Sequence, residues 1–103
     1  MLTREERTLL ENFIDATDRL YDGDTNAVDV YALLLATAAA LKSGSLAEQF
    51  ATSARELKEI VRSTATSGQK RDETLTKTDG LRVHVAQALR TDAKENPRQR
   101  HRI

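Results

Sequence analysis

The sequence predicts an all-α protein, folded as an antiparallel up-down four-helix bundle. Its composition combines 31% charged residues with 4% aromatic residues, one proline and four glycines, which favours helices built on leucine, alanine and valine over sheets. Apolar residues recur at the helical period in four segments, and the short polar connections between them make neighbouring helices antiparallel. A chain of 103 residues forms one domain with its own core. We place the bundle at residues 1–91 and a polar basic tail, disordered or frayed, at 92–103.

The first helix is expected from about Thr3 to Tyr21. Thr3 and Glu6 form a capping box, in which each side chain accepts a backbone N–H that the helix leaves unpaired. Helical spacing then gathers seven inward-facing residues into one stripe. These residues are Leu9, Leu10, Phe13, Ile14, Thr17, Leu20 and Tyr21.

A turn and a strongly apolar second helix follow. The turn is Asp22-Gly23-Asp24-Thr25-Asn26, which consists of residue types that favour turns. Asn26 can cap a helix that runs from about Ala27 to Lys42. Because no charged residue occurs between Val30 and Leu41, we expect this helix to be covered on nearly all sides. It is then either the centre of the fold or one side of a dimer interface.

Two more helices complete the bundle. The third is expected from about Leu46 to Thr64, with a second capping box formed by Ser45 and Glu48. The fourth is expected from about Gln69 to Arg90, with a kink or break near Asp79 because the glycine that follows it costs about 1 kcal/mol relative to alanine. The inward residues of the third helix are Leu46, Phe50, Ala51, Ala54, Leu57, Ile60 and Val61. Those of the fourth are Leu75, Thr78, Leu81, Val85, Ala88 and Leu89.

Composition also excludes several classes of protein. The chain has no cysteine, so it has no disulfide framework, thiolate zinc site or thiol nucleophile. Its longest uncharged run, Val30 to Leu41, is shorter than the roughly 20 residues that cross a bilayer. The amino terminus is charged from its fourth residue, unlike a secretory signal, and we expect a cytoplasmic protein outside the membrane. The net charge is zero, yet residues 1–30 carry −5 and residues 61–103 carry +5.

A row of carboxylates on the first helix is the most informative feature of the sequence. Its members are Glu11, Asp15, Asp18 and Asp22. Their spacing places them on one line, roughly 140° around the helix from the centre of the apolar stripe. Like charges at this spacing repel by roughly 0.2–0.5 kcal/mol per pair. We therefore expect the row to face solvent or a positively charged partner.

Part of this charge can be balanced within the helix. Arg7 lies four residues before Glu11. Arg19 lies four residues after Asp15. The carboxylates that stay unbalanced are Asp18, Asp22, Asp24 and Asp29. A basic protein surface, such as the active site of a nuclease, complements them; the alternative is a solvated helix face without a partner.

A calcium site is a second interpretation of the same acids. Residues 18–29 resemble a twelve-residue calcium loop of the EF-hand kind, but Leu20 occupies the third position, where an oxygen ligand is needed. A frame that starts at Asp22 places Ala27 where glycine is needed and Leu33 where glutamate is needed. Each frame fails at an important position, so we expect no metal ligand in this segment.

An enzymatic interpretation uses paired carboxylates on two helices, as in magnesium-dependent all-helical nucleotide pyrophosphatases. The candidates are Glu11, Asp15, Asp18, Glu56 and Glu59. Such pairs arise by chance in charged helices, and His84 has no identifiable aspartate or serine partner that would make it a base. We expect no catalytic residue and no cofactor. The tail lacks the aromatic residues that would stack on bases, so we do not expect nucleic acid as a partner.

One segment carries a resemblance to a known family. Residues 13–34 have the sequence FIDATDRLYDGDTNAVDVYALL, in which a helix, an acidic glycine turn and a second helix precede two more helices. This pattern resembles the opening of small helical bacterial immunity proteins, over about a quarter of the chain. The resemblance implies a cytoplasmic protein that neutralises a cognate toxin, often a nuclease, by covering its basic active site with acidic side chains.

These observations predict a non-enzymatic protein-binding module whose acidic face docks on a basic protein. Tyr21 and Tyr31 flank the acidic turn and are suited to anchor such an interface. The predicted partner-binding residues are Glu11, Asp15, Asp18, Tyr21, Asp22, Asp24, Asp29 and Tyr31. A structural homodimer that uses the apolar second helix is the alternative.

Overall fold

The computed structural model describes residues 2–41 and 44–95. Within these ranges the chain forms helices and no strand, which confirms the predicted all-α fold class. The elements are α1 (Arg4–Asp22), α2 (Ala27–Leu41), α3 (Ser45–Arg62) and α4 (Ser67–Glu95). Each helix packs on its neighbours in sequence, and α4 also packs on α1, so the four helices close into a ring. The predictions for Lys42 and for residues 96–103 of the tail lie outside the described residues.

Long-range ion pairs show the direction of the helices. Nε of Arg7 donates to Oδ2 of Asp92 over 3.0 Å, near the start of α1 and the end of α4. Further along α1, Oδ1 of Asp18 accepts from Nη2 of Arg82 over 2.7 Å. The partners on α4 move backward along the chain as those on α1 move forward, so these two helices are antiparallel. Together with the short connections, this arrangement is the expected up-down bundle.

Local contacts begin and end α1 and begin α2 where the sequence predicts. Oγ1 of Thr3 accepts from the N–H of Glu6 over 3.0 Å, and Oε1 of Glu6 accepts from the N–H of Thr3 over 2.9 Å. Gly23 ends α1 with a φ of 82°, a left-handed conformation that glycine adopts without steric cost. At the start of α2, Oδ1 of Asn26 accepts from the N–H of Asp29 over 2.9 Å.

The predicted capping box at the start of α3 is wrong. Ser45 is the first residue of the helix, and the cap residue before it is Gly44, which has no side chain to accept a hydrogen bond. The hydroxyl of Ser45 instead accepts from Nε2 of Gln49 over 3.1 Å. Because Ser45 already lies inside the first turn, Glu48 has no side-chain partner at the cap position.

The predicted kink or break near Asp79 is also wrong, since α4 is continuous from Ser67 to Glu95. Gly80 is exposed, and its cost to the helix is about 1 kcal/mol. On the opposite side of this stretch Thr78, Leu81 and Val85 are buried. Burial of an aliphatic side chain contributes about 1.5–3 kcal/mol, so packing outweighs the weak helical propensity of the glycine.

Asp92 belongs to the bundle, although the sequence places the domain boundary at residue 91. Its side chain is 2% exposed, and its second carboxylate oxygen, Oδ1, accepts from the N–H of Leu2 over 3.1 Å. The boundary predicted from the sequence rests on the lack of apolar residues in the tail. That composition does not indicate that one carboxylate of the tail is buried in an ion pair. Arg7 is the partner that the sequence assigns to Glu11, and its guanidinium lies on Asp92 instead.

The core is a single cluster that all four helices share. Phe13 of α1 and Phe50 of α3 meet across its centre in an edge-to-face contact, with ring centroids 5.1 Å apart. Tyr21, which the sequence places in the inward stripe of α1, is instead 74% exposed. The buried apolar residues are Leu10, Phe13, Leu20, Ala27, Val30, Leu34, Leu41, Ala47, Phe50, Ala54, Leu57, Ile60, Leu81 and Val85.

One face of α2 is not covered by the rest of the described chain, so this helix is not the centre of the fold, and its predicted alternative role in a dimer interface stays a prediction. Val28 is 53% exposed and Leu35 is 47% exposed. Four alanines lie on the same side of the helix and are also exposed: Ala32, Ala36, Ala39 and Ala40. An apolar face of α2 therefore points away from the other three helices and remains in contact with solvent.

Candidate functional site

The acidic row of α1 lies on the outside of the bundle. All four of its carboxylates, those of Glu11, Asp15, Asp18 and Asp22, are exposed. Asp15 lies 4.0 Å from Arg19, which is the predicted pair but a loose one between two exposed side chains. A pair of this kind contributes little to stability. Among the described residues Glu11 has no ion pair, because its expected partner contacts α4.

Asp18 is not unbalanced, which corrects one part of the predicted site. Its Oδ1 accepts from Nη2 of Arg82 over 2.7 Å. The two residues are 64 positions apart in the chain, so the spacing of charges on α1 could not indicate this contact. The pair neutralises the charge of Asp18. Asp22, which is the member of the row nearest the turn, has no ion pair with any described residue.

A groove of about 610 Å³ lies between α1 and α4 beside this pair. Three carboxylates line it, those of Asp18, Asp22 and Asp79, together with the guanidinium of Arg82. The exposed ring of Tyr21 forms part of its wall. With three acids and one base, the lining carries a formal charge of −2. The remaining lining residues are Thr17, Leu75 and Thr78.

Asp79 and Arg82 are site residues that the sequence analysis missed. Both lie on the side of α4 that lines the groove. The sequence feature that could have identified them is their spacing of three residues, which places two charged side chains on one side of a helix. The expected break near Asp79 concealed it, because residues on two separate helices need not share a face.

The turn between α1 and α2 holds the other predicted acids. The N–H of Asp24 donates to the carbonyl of Arg19 over 2.8 Å, which ties the turn to the end of α1. Oδ2 of Asp29 accepts from the hydroxyl of Thr25 over 3.1 Å. Neither acid forms an ion pair within the described part of the chain, and both are exposed. They lie outside the groove that contains Asp22.

The two tyrosines are in different environments. Tyr21 is exposed and lines the groove that contains Asp22. Tyr31 is half-buried and packs against the core. Tyr21 is therefore accessible at the surface, whereas Tyr31 serves mainly for packing, so only one of the two predicted anchors is freely accessible.

The carboxylates considered for a metal do not converge. Glu11, Asp15 and Asp18 are on α1, whereas Glu56 is on α3 and lies 3.8 Å from Nζ of Lys77. Within residues 2–41 and 44–95, no group of three histidine, cysteine, aspartate or glutamate side chains is placed to hold a metal ion. His84 is exposed, and its Nδ1 lies 2.6 Å from Oε1 of Gln49.

The fold and the site define a small all-α bundle with an acidic groove between its first and last helices. None of its described helices combines the length and the apolar character that a membrane-spanning helix requires. In comparisons with known proteins, no family model, no curated protein and no solved structure matches the chain.

Proposed function

We propose that this chain is a non-enzymatic binding module that docks on a basic protein through the acidic end of α1 and the turn that follows. The observation that carries the proposal is the concentration of exposed carboxylates without ion pairs, beside an exposed tyrosine. Asp22, Asp24 and Asp29 form no ion pair with a described residue, and Tyr21 is 74% exposed. Aromatic side chains at the centre of an interface often supply much of its binding energy.

The proposal differs from the prediction in the residues it uses. Asp18 contacts Arg82, so it contributes to the shape of the surface more than to its charge. Glu11 and Asp15 lie further from the turn on the same row and extend the negative surface along α1. Tyr31 is half-buried and would add contact area only at its edge.

The resemblance to small helical bacterial immunity proteins supplies the kind of partner. In this proposal the partner is a cognate toxin, such as a nuclease, and the chain acts in the cytoplasm. A nuclease surface that binds phosphates is basic, and an acidic protein surface complements it. The support for this step is the pattern of residues 13–34 together with the charge of the exposed surface.

The binding proposal can be tested before the partner is identified. Peptides that bind the full chain are selected from a displayed random library, and their affinities are measured at low and high salt. We expect enrichment in arginine and lysine, and tighter binding at low salt because exposed charges are screened by ions. An enriched set without excess basic residues contradicts the proposal.

A charge-reversal variant then locates the binding surface. Asp22→Lys combined with Asp24→Lys should weaken the selected peptides about tenfold, a loss typical of a few important contacts. The matched control combines Glu48→Lys with Glu59→Lys, which makes the same change in net charge on α3, on the far side of the ring. Equal losses in both variants would mean that only net charge matters and would remove the proposed site.

The immunity proposal has its own test. The product of the reading frame immediately upstream in the source genome should be toxic when it is expressed alone, and this chain should restore growth when the two are expressed together. The Asp22→Lys and Asp24→Lys variant should protect less well than the control variant. A harmless upstream product ends the immunity proposal and leaves the binding proposal intact.

A second candidate function is self-association through the uncovered face of α2. The observation in its favour is the exposed apolar face that contains Val28 and Leu35, since apolar patches on a protein surface often mark interaction sites. Sedimentation measurements should then give the mass of a dimer, and Leu35→Glu should give a monomer. A monomer at all concentrations excludes this candidate.

A further inference from the structure

The acidic groove between α1 and α4 continues into an apolar one. Next to the groove of about 610 Å³ is a second groove of about 430 Å³. Asp79 and Arg82 line both, so the two meet at these side chains. The second groove is apolar where Ile14, Val83 and Leu89 line it, and the exposed Arg90 adds a positive charge to its lining. We call the two together the α1/α4 groove, with a carboxylate end and an apolar end.

We propose that the α1/α4 groove receives one segment of the basic protein partner, with an arginine or lysine side chain at the carboxylate end and an apolar side chain at the apolar end. This inference rests on the proposed function and names the part of the partner that is recognised. The inference adds an apolar contact to the electrostatic one, because the apolar end of the groove contributes nothing to attraction between charges.

The charges of the carboxylate end select a cation. Arg82 neutralises Asp18, which leaves Asp22 and Asp79 without an ion pair among the described residues. A guanidinium or ammonium group between these two exposed carboxylates pairs with both and reduces the formal charge of the lining from −2 to −1. The exposed ring of Tyr21 offers a face on which a cationic side chain can lie.

The apolar end selects an aliphatic or aromatic side chain. Val83 is 52% exposed, and it stands beside Ile14, Ala86 and Leu89, which are half-buried. A side chain placed here covers apolar surface that is in contact with water in the free protein, which is favourable. The groove thus holds two chemically different anchors side by side.

The geometry of α4 sets the distance between the two anchors. Asp79 and Ala86 are seven residues apart on one continuous helix, which corresponds to about 10 Å along its axis. A segment in the polyproline II conformation covers about that distance in three residues, and its side chains return to the same face at that spacing. An α-helix covers the distance in about seven residues. The partner segment should therefore carry its basic and apolar side chains three positions apart if it adopts the polyproline II conformation, or seven apart if it is α-helical.

The test uses the peptides selected from the displayed random library on the full chain. Aligned sequences should show a basic residue and a large apolar residue at one of these two spacings.

Val83→Ser removes apolar surface without adding charge, and Val83→Lys covers it with a charged chain; each should weaken the peptides about tenfold. Gln87→Lys is the control, since it adds the same charge at an exposed position of α4 outside the groove, and it should change affinity less than twofold. Circular dichroism melting of each variant verifies that the bundle is intact.

The outcomes separate this inference from the function on which it rests. If the peptides weaken in the Asp22→Lys and Asp24→Lys variant but bind both Val83 variants normally, the acidic surface is the binding site and the groove inference is overturned. If basic peptides are enriched without an apolar residue at either spacing, the inference is also overturned. If neither set of variants affects binding, both proposals fail.

Discussion

Arg7 of α1 and Asp92 of α4 form an ion pair that joins the beginning of the bundle to its end. Nε of Arg7 lies 3.0 Å from Oδ2 of Asp92, and the side chains are 15% and 2% exposed. The other carboxylate oxygen accepts from the N–H of Leu2. The buried carboxylate of Asp92 thus contacts both the first turn of α1 and Leu2, which precedes the helix.

Replacement of this carboxylate should destabilise the bundle strongly. Asp92→Ala leaves the guanidinium of Arg7 partly buried without its partner, and the loss of one member of a buried pair costs about 3 kcal/mol. Urea unfolding followed by circular dichroism measures this loss. Asp72→Ala is the control, because Asp72 is paired with Arg71 at the surface with a side chain 72% exposed, and it should cost less than about 1 kcal/mol. Similar costs for the two variants would contradict a stabilising role for the buried pair.

Two glycines should respond in opposite ways to replacement by alanine. Gly80 lies inside α4 with a helical backbone and no heavy atom within 4 Å of an added Cβ, so Gly80→Ala should stabilise the protein by about 1 kcal/mol. Gly23 has a φ of 82°, and Gly23→Ala should destabilise it by about 1–2 kcal/mol because a Cβ is strained in that conformation. Thermal melting of both variants measures the two shifts. A loss of stability in Gly80→Ala would indicate that the glycine has a role in α4 beyond its lack of a side chain.

Two buried threonines should also differ. The hydroxyl of Thr37 in α2 has no hydrogen-bond partner among the described residues, whereas that of Thr78 in α4 donates to the carbonyl of Thr74 over 2.8 Å. A buried polar group without a partner costs about 1–3 kcal/mol. Thr37→Val should therefore raise the free energy of unfolding by about 1 kcal/mol, and Thr78→Val should gain less because it gives up a hydrogen bond. Equal gains from the two substitutions would show that the hydroxyl of Thr37 is satisfied in solution.

Features that depend on neighbouring residues could be predicted from the sequence. The capping box of Thr3 and Glu6, the glycine that ends α1 and the cap at Asn26 each join residues that are three or four positions apart. The sequence contains both partners of such a contact within one turn of helix. The predicted capping box at Ser45 is wrong because α3 begins one residue earlier than that cap requires. A shift of one residue in the helix start is enough to remove such a local contact.

The candidate site could be predicted only in part. The row of acids on α1 is exposed, as its angle to the apolar stripe predicts. The contribution of α4 could not be predicted, because the contact between Asp18 and Arg82 spans 64 positions and depends on which side of α4 faces α1. The apolar stripe shows which side of a helix points inward, but it does not say which flank meets which neighbour.

The sequence by itself therefore determined four helices, most of their ends and many of the core residues, because helical periodicity and caps act over a few residues. Only the tertiary structure decided that Gly80 stays helical, that Asp92 is buried and that one face of α2 remains uncovered. It also decided that the acids of α1 share a groove with Asp79 and Arg82. Each of these outcomes depends on how helices distant in sequence pack against one another, and that packing is a balance of burial and pairing over the whole bundle.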